Sequence, residues 1–283
     1  MMSPLVVKLG GAALDQPDAC APLWSAIAEL HSRWRGSPSR DQQSPTGVVL
    51  VHGGGGAVDR RLARLGMTTQ RREGIRLTPD DQIDEVVGAL AGTVNKQIVA
   101  SLNAAGVPAV GLCLADGGFA KCVKTRRYTF DPGRVGEVIG GDPKLVRTLL
   151  GAGFLPVISS IGADADGRAL NINADEAAAS AAALLTAGGL VLLTDVPGIL
   201  DSGGALLNEL TPDDVEQLIA SGAIHGGMIP KARGAVDAAR ISGAPAVIAS
   251  WKRPEDLLRI ANGESVGTRI LAKAHASLAE ATP

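Results

Sequence analysis

The sequence predicts an α/β protein, a three-layer α-β-α sandwich around a mainly parallel sheet. Three observations point there. Short apolar runs rich in β-branched residues alternate with longer segments of helical periodicity along most of the 283 residues. Two of those runs, 5–9 and 48–52, stop at consecutive glycines, as buried strands do when their exits must pass close to something. The composition, 46% apolar but only 2% aromatic, supplies Ala, Val, Leu and Ile for helices packed on both faces of a sheet.

Taken in order, the first strand covers 5–9 and leads into Gly10-Gly11, with a helical pattern near 18–34. Residues 34–46 are polar and broken by Pro38 and Pro45, which reads as a surface loop. The second strand, 48–52, enters the run Gly53-Gly54-Gly55-Gly56 and a helix over 57–66. A long helix is predicted over 80–105, with Thr78 as N-cap and Pro79 at its first position. Its apolar stripe is Ile83, Val87, Leu90, Val94 and Ile98. A strand at 108–113, a helix at 142–152 and a strand at 155–160 follow, then a helix at 174–187 and a strand at 190–194. Helices at 211–221 and 231–243 and a strand at 245–250 complete the pattern. Two segments break the alternation. Asp116-Gly117-Gly118 and Asp131-Pro132-Gly133 suggest hairpins within 112–138, and Asp166-Gly167 suggests a turn between two short strands in 164–173. Such hairpins are expected to form flaps over a substrate site. The chain shows no internal repeat.

Composition excludes several classes of function. A net charge of −2 speaks against nucleic acid, which needs a concentrated basic surface. No run approaches the roughly 18 apolar residues of a membrane span, and the N-terminus has no secretory pattern. A soluble, cytoplasmic protein is expected. Cys20, Cys113 and Cys122 share no metal-like spacing with the four histidines, and Cys113 and Cys122, in apolar segments, read as small buried hydrophobes.

The motifs point to an anion. At each glycine turn, bare backbone N–H groups can grip phosphoryl oxygens, and Lys8 adds a fixed positive charge beside the first. Neither the P-loop nor the dinucleotide fingerprint is present, which disfavours a P-loop enzyme or a dehydrogenase. Asn171-Ile172-Asn173-Ala174-Asp175 has two readings. Either Asp175 caps the helix that follows and the asparagines serve a turn, or two amides and a carboxylate converge on a ligand. In Gly226-Gly227-Met228-Ile229-Pro230-Lys231, Pro230 suits a helix start. Lys231 then falls in the first turn, where a cation opposes the helix dipole, as a functional lysine would. Thr194-Asp195-Val196-Pro197-Gly198 is a strand exit of the kind that gathers around ligands in open sheets.

Together these motifs, with Gly74-Ile75-Arg76-Leu77-Thr78 and Gly92-Thr93-Val94-Asn95-Lys96, closely resemble the amino-acid kinase superfamily. The resemblance runs from Lys8 to about Leu271 and is strongest to its branch that phosphorylates N-acetyl-L-glutamate in arginine biosynthesis. It implies one amino-acid kinase domain over 1–283, with an acceptor-binding and dimerising lobe at 1–173 and an ATP-binding lobe at 174–283. It implies transfer of the γ-phosphoryl group of MgATP to a side-chain carboxylate, with Lys8 and Lys231 on opposite sides of the moving group and Asp175 orienting both lysines. Gly54, Gly55, Arg76, Asn171 and Asn173 would bind the acceptor. Gly11 would hold phosphoryl oxygens, and ATP would lie along Asp195, Val196, Pro197, Gly198, Ile199 and Leu200 and near Ala223, Ile224 and His225. Mg²⁺ would be held by the phosphates, with no protein ligand. Arg71 and Arg72 read as solvated charges, and His52 as a support for its turn. Where the family often has proline after its glycine turn, this chain has Gly56-Ala57. With seven residues before Lys8, a homodimer built on the 80–105 helix is expected rather than a hexamer, and no strong inhibition by arginine. Two other readings are a kinase of another acidic amino-acid derivative and a catalytically silent nucleotide-binding regulator. The joint presence of Lys8, Asp175 and Lys231 weighs against the second.

Overall fold

The computed structural model describes residues 4–34 and 46–272, with only the backbone at Pro17. Most of the loop expected at 34–46 therefore lies outside the described residues. The chain opens with β1 (Leu5–Leu9), the short helix α1 (Gly11–Leu14) and, after a 3-10 turn, α2 (Ala21–Trp34). β2 (Val48–His52) feeds α3 (Gly55–Arg64), the hairpin of β3 (Arg71–Arg72) and β4 (Ile75–Arg76), and then α4 (Ile83–Val87). A π-helical stretch (Gly88–Val94) joins α4 to α5 (Asn95–Ala104). β5 (Ala109–Cys113), β6 (Lys121–Lys124), β7 (Val135–Gly140), α6 (Lys144–Gly151), β8 (Leu155–Ser159), β9 (Ile161–Ala163) and β10 (Ala169–Ile172) follow. The remainder is α7 (Ala174–Leu185), β11 (Gly189–Thr194), β12 (Glu209–Leu210), α8 (Pro212–Ala220), α9 (Met228–Ser242), β13 (Ala246–Ser250), α10 (Glu255–Ala261) and β14 (Thr268–Ile270).

Eight strands form one sheet in the order β12-β14-β13-β11-β1-β2-β8-β5. The six from β13 to β5 are all parallel, and β14 alone runs against its neighbour β13. Strand alternation assigns the two faces. Leu5, Val7 and Leu9 join a core with α2, α5 and α10, while Val6 joins the other core, under α6, α7, α8 and α9. Lys8 therefore projects toward the α7–α9 layer. Alanines line the contact between α7 and α9: Ala177–Ala179, Ala181 and Ala182 on one, Ala232, Ala235, Ala238 and Ala239 on the other. Side chains this small let the two helices approach closely, which draws their N-terminal turns toward the same end of the sheet. The sandwich expected from the sequence is the one observed.

A second sheet, β6-β7-β10-β9, contains the hairpins expected at Asp131-Pro132-Gly133 and Asp166-Gly167. Asp116-Gly117-Gly118 forms no hairpin: it is a 3-10 turn, with Asp116 accepting from Cys113 N–H, that carries the chain from β5 in the first sheet to β6 in the second. β9 and β10 pair antiparallel across the turn at Asp166-Gly167, where Gly167 has φ +76°. β6 and β7 pair antiparallel across the loop that carries Asp131-Pro132-Gly133.

Two expectations fail around residue 80. Thr78 does not cap a helix: its N–H donates to Pro132 O, its carbonyl accepts from Arg134 N–H, and it bridges Gly133 as extended chain. The helix starts only at Ile83, because long-range pairing with the β6–β7 loop takes the backbone groups a cap would have used. The helix is also not uniform. The π-helical stretch shifts the buried stripe, so that Val86, Ala89, Leu90, Val94 and Asn95 face inward while Val87 is only half-buried. The sequence reading also missed α1, α10, the β3–β4 hairpin, the edge strand β12 and its neighbour β14, all of which are short.

Candidate active site

The carboxyl ends of β1, β2, β8 and β11 lie side by side, since Leu9 is level with both His52 and Leu193, and His52 with Ser159. From β1 the chain moves outward on one side to β2, and later returns to the other side of β1 at β11. This reversal of strand order is where open sheets leave a crevice. Gly10 crosses it tightly: a Cβ there would sit 2.9 Å from the carbonyl oxygen of Leu193. Gly54, with φ +145°, begins α3, and a Cβ there would press within 3.1 Å of Leu90. Gly53 abuts the start of α7, since its Cβ would lie 3.0 Å from that of Ala174.

Two cavities flank the N-terminus of α7. One is lined by Lys8, Gly10, Gly11, Ala12, Asp175, Thr194, Asp195 and Lys231 among others. Lys8 Nζ lies 2.8 Å from Asp175 Oδ1, and the ammonium is largely sheltered at 14% exposure. Lys231 makes its ion pair with Asp195. The sequence reading had Asp175 orienting both lysines, and here the geometry differs. Lys8 on β1 lies under α7, whereas Lys231 on α9 lies beside the exit of β11, so each lysine has the carboxylate nearest its own element. The hydrogen bond from Lys231 holds the Asp195 carboxyl below the usual range against the opposing effect of burial. Both ammonium groups still line one cavity.

The second cavity is lined by Gly53, Gly54, Gly55, Arg76, Asn171, Asn173 and Glu176 among others, and so contains every expected acceptor residue. Arg76, placed by β4, donates from Nη1 to Asp59 at 2.5 Å and to Thr69 Oγ1 at 3.0 Å, and from Nη2 to Gly55 O at 2.9 Å. Burial works to raise the Asp59 pKa, but the hydrogen bonds from Arg76, then Arg71 and Thr69, prevail and leave it well below the carboxylate range. Asn171 Nδ2 donates to Thr78 Oγ1 at 3.0 Å. Asn173 is the N-cap of α7, accepting from the N–H groups of Asp175 and Glu176. The capping role thus belongs to Asn173, and it leaves Asp175 free to meet Lys8.

Of the expected nucleotide residues, Gly11 and Asp195 line the lysine cavity. The side chains of Ile199 and Ile224 are buried in the core, and their N–H groups donate to Thr268 Oγ1 and Leu218 O respectively. Only the backbone around them and the more exposed neighbours Val196, Pro197, Leu200, Ala223 and His225 remain for a ligand.

Several wall residues escaped the sequence reading. Arg127, in the β6–β7 loop, makes a two-pronged ion pair with Glu176 at 2.9 and 3.2 Å and also pairs with Glu137. Thr125, Tyr128 and Ser160 line the same cavity. Arg71 and Arg72 are exposed, as expected of solvated charges, and each also has a partner: Arg71 binds Asp59 at 2.7 Å, and Arg72 lies over the ring of Phe130 at 4.3 Å. No local pattern marks Arg127, because Glu176 is brought to it by packing alone.

His52 is fully buried, and burial lowers its pKa to about 4, so the ring is neutral at pH 7. In the unfolded chain it titrates near its ordinary value of roughly 6.5, so between those values the unfolded state binds more protons. Stability is then fully present above about pH 6.5 and is lost as pH falls toward 4, by about 3 kcal/mol in total. Urea unfolding across pH 7 to 4.5 should show this loss, and His52→Asn should flatten it. An unchanged slope in the variant would assign the loss to other groups.

The description "Amino acid kinase family" belongs to a family model that matches residues 3–250. Acetylglutamate kinase from Serratia proteamaculans is 47% identical over 273 residues, covering 96% of this chain and 100% of the relative. Among solved structures, N-acetylglutamate synthase from Neisseria gonorrhoeae, in complex with coenzyme A and N-acetyl-glutamate, superposes with a TM-score of 0.78 at 25% identity. That match covers 96% of this chain and 60% of the synthase. Carbamate kinase from Giardia lamblia bound to AMP-PNP matches in fold, with a TM-score of 0.65 at 18% identity over 96% of this chain and 99% of the kinase.

Proposed function

This chain belongs to the amino acid kinase family, and on that premise we propose that it phosphorylates the side-chain carboxylate of N-acetyl-L-glutamate with ATP, yielding N-acetyl-L-glutamyl 5-phosphate for arginine biosynthesis. One observation carries the reading: a cavity with two ammonium groups adjoins a cavity with three guanidinium groups, Arg71, Arg76 and Arg127, and two amides, and both meet at the N-terminus of α7. The first suits a polyphosphate and the second a small dicarboxylate. A carboxylate oxygen of the acceptor attacks the γ-phosphorus, the P–O bond to ADP breaks, and its electron pair leaves with ADP. The acceptor is already ionised at neutral pH, so no general base is required. What remains is to bring two anions into line and to stabilise charge on the transferring group.

In this reading Lys8 and Lys231 provide that charge. Asp175 positions Lys8, Asp195 positions Lys231, and the N–H groups at Gly11 and Gly54 meet phosphoryl and carboxylate oxygens, the Gly10 N–H being held by Leu193 O. Arg76 and Asn171 hold the α-carboxylate end of the acceptor. Asn173 contributes by shaping the start of α7. Val196–Leu200 and Ala223–His225 border the nucleotide with their backbone. Mg²⁺ would be held by the phosphates, whose charge it would offset.

The division into an acceptor lobe at 1–173 and a nucleotide lobe at 174–283 is part of the same proposal, supported by an acceptor cavity drawn almost wholly from the first segment, while the lysine cavity takes Lys8, Gly10, Gly11 and Ala12 from the first and the rest of its lining from the second. So is a homodimer built on the 80–105 segment, whose groove against α3 is lined by Ala57, Ala63, Ala89 and Thr93 together with Arg60, Arg61, Arg64 and Gln97. Sedimentation at a single monomer mass would remove it. A cytoplasmic location is supported by three cysteines that form no disulfide. No helix among the described residues is long and apolar enough to cross a membrane.

The decisive assay traps the acyl phosphate as a hydroxamate from N-acetylglutamate, ATP and magnesium. Product is expected with N-acetylglutamate, and a preference for unacetylated glutamate would overturn the substrate assignment.

A further inference from the structure

Asn95 and His52 are 43 residues apart in sequence, and both are wholly buried behind the second glycine turn. Asn95 Nδ2 lies 3.0 Å from His52 Nε2, 2.9 Å from Val157 O and 3.3 Å from Leu112 O. Its Oδ1 accepts from Lys96 Nζ at 3.2 Å. Two carbonyls on one side of the amide and an ammonium on the other allow a single orientation, with the NH₂ group toward the ring; its two hydrogens serve the two shorter contacts, Val157 O and His52 Nε2, and Leu112 O at 3.3 Å shares one of them. Nε2 of His52 must then accept, and the proton resides on Nδ1. Nδ1–H donates to Gly53 O at 2.9 Å. The Gly53–Gly54 peptide is planar, so its N–H points opposite to its carbonyl. With the oxygen drawn against the buried ring, the Gly54 N–H faces the cleft.

We propose that Asn95 and His52 are positioning residues: Asn95 selects the Nδ1–H tautomer of His52, which pins the Gly53 carbonyl and so aims the Gly54 N–H at an anionic oxygen in the cleft. That this oxygen belongs to a carboxylate or a transferring phosphoryl group rests on the kinase reading. The opposite tautomer would set a ring lone pair against the Gly53 oxygen. A Gly-Gly peptide, with no Cβ on either side, would rotate away at little cost. The surrounding fold reserves the space for this contact. The π-helical stretch turns Asn95 inward, and Gly111 leaves room for it, since a Cβ there would fall 2.0 Å from Asn95 Oδ1.

Two measurements on the full chain test the relay. A long-range ¹H–¹⁵N correlation on protein labelled at histidine reads which ring nitrogen of His52 carries the proton. Nδ1–H is expected, and Nε2–H would overturn the proposal whatever the protein phosphorylates. Kinetics then ask whether the donor matters. Asparagine presents its NH₂ group where Nδ1–H stood, whereas glutamine reaches the Nε2 position. His52→Gln and Asn95→Leu should lower kcat by about 10- to 100-fold with the KM for ATP nearly unchanged, while His52→Asn should stay within about threefold of the parent. Equal kcat for the two His52 variants, with matching circular dichroism, would overturn the positioning role. Absence of any phosphorylation of N-acetylglutamate by the parent protein would instead remove the kinase reading and leave the tautomer result standing.

Discussion

Lys8→Ala and Lys231→Ala should each lower kcat by about 100-fold or more, the scale of losing a key electrostatic stabiliser in a sheltered site. The effect should fall on kcat more than on KM for ATP, because the ammonium groups act most strongly on charge that builds as the phosphoryl group moves. The two variants should differ in stability. Lys8 is mostly sheltered and bonded to Asp175, so its loss leaves a carboxylate facing only the N-terminal dipole of α7. Lys231 is more open, at 34% exposure, and its partner Asp195 stays hydrated, so its loss should barely alter unfolding. Hydroxamate-coupled steady-state assays beside urea titrations read both quantities. A tenfold or smaller loss of kcat in both variants would remove the lysines from the reaction.

Arg76→Ala should raise the KM for N-acetylglutamate by about 10- to 100-fold and leave that for ATP nearly unchanged, as expected when charge-assisted hydrogen bonds to a bound carboxylate are lost. Arg76 is nearly buried, and Asp59, Thr69 and the Gly55 carbonyl hold its guanidinium at the pocket wall before any acceptor arrives. That preorganisation is the reason a single residue can matter this much. Asp59→Asn, which weakens the hold without removing the cation, should raise the same KM by a smaller factor. If Arg76→Ala raised only the KM for ATP, the two cavities would have been assigned the wrong way round.

Much of the framework was legible in the residues. The six parallel strands appear within a residue or two of their expected positions, because each is a short apolar run ended by glycine, proline or a polar turn. The acceptor residues gather in one cavity for a similarly local reason. Gly54 and Gly55 end β2, Asn171 and Asn173 end β10, and Arg76 sits on a short hairpin beside them. The failures occur where distant backbone or side chains intervene. Thr78 has all the local marks of a cap but pairs with the loop before β7. The apolar stripe of 80–105 has helical spacing, yet the glycine turn it packs against is accommodated by a π-helical stretch.

The sequence by itself determined the layered α/β class, the glycine turns and the chemical types gathered for phosphoryl transfer, since alternation and turn chemistry are properties of neighbouring residues. Which carboxylate meets which lysine was decided only in three dimensions. Asp195 reaches Lys231 across 36 residues because β11 and α9 lie side by side, and Asn95 reaches His52 across 43 because the π-helical stretch rotates it inward. Such pairings depend on how layers stack and how helices turn between them, and no local spacing encodes either.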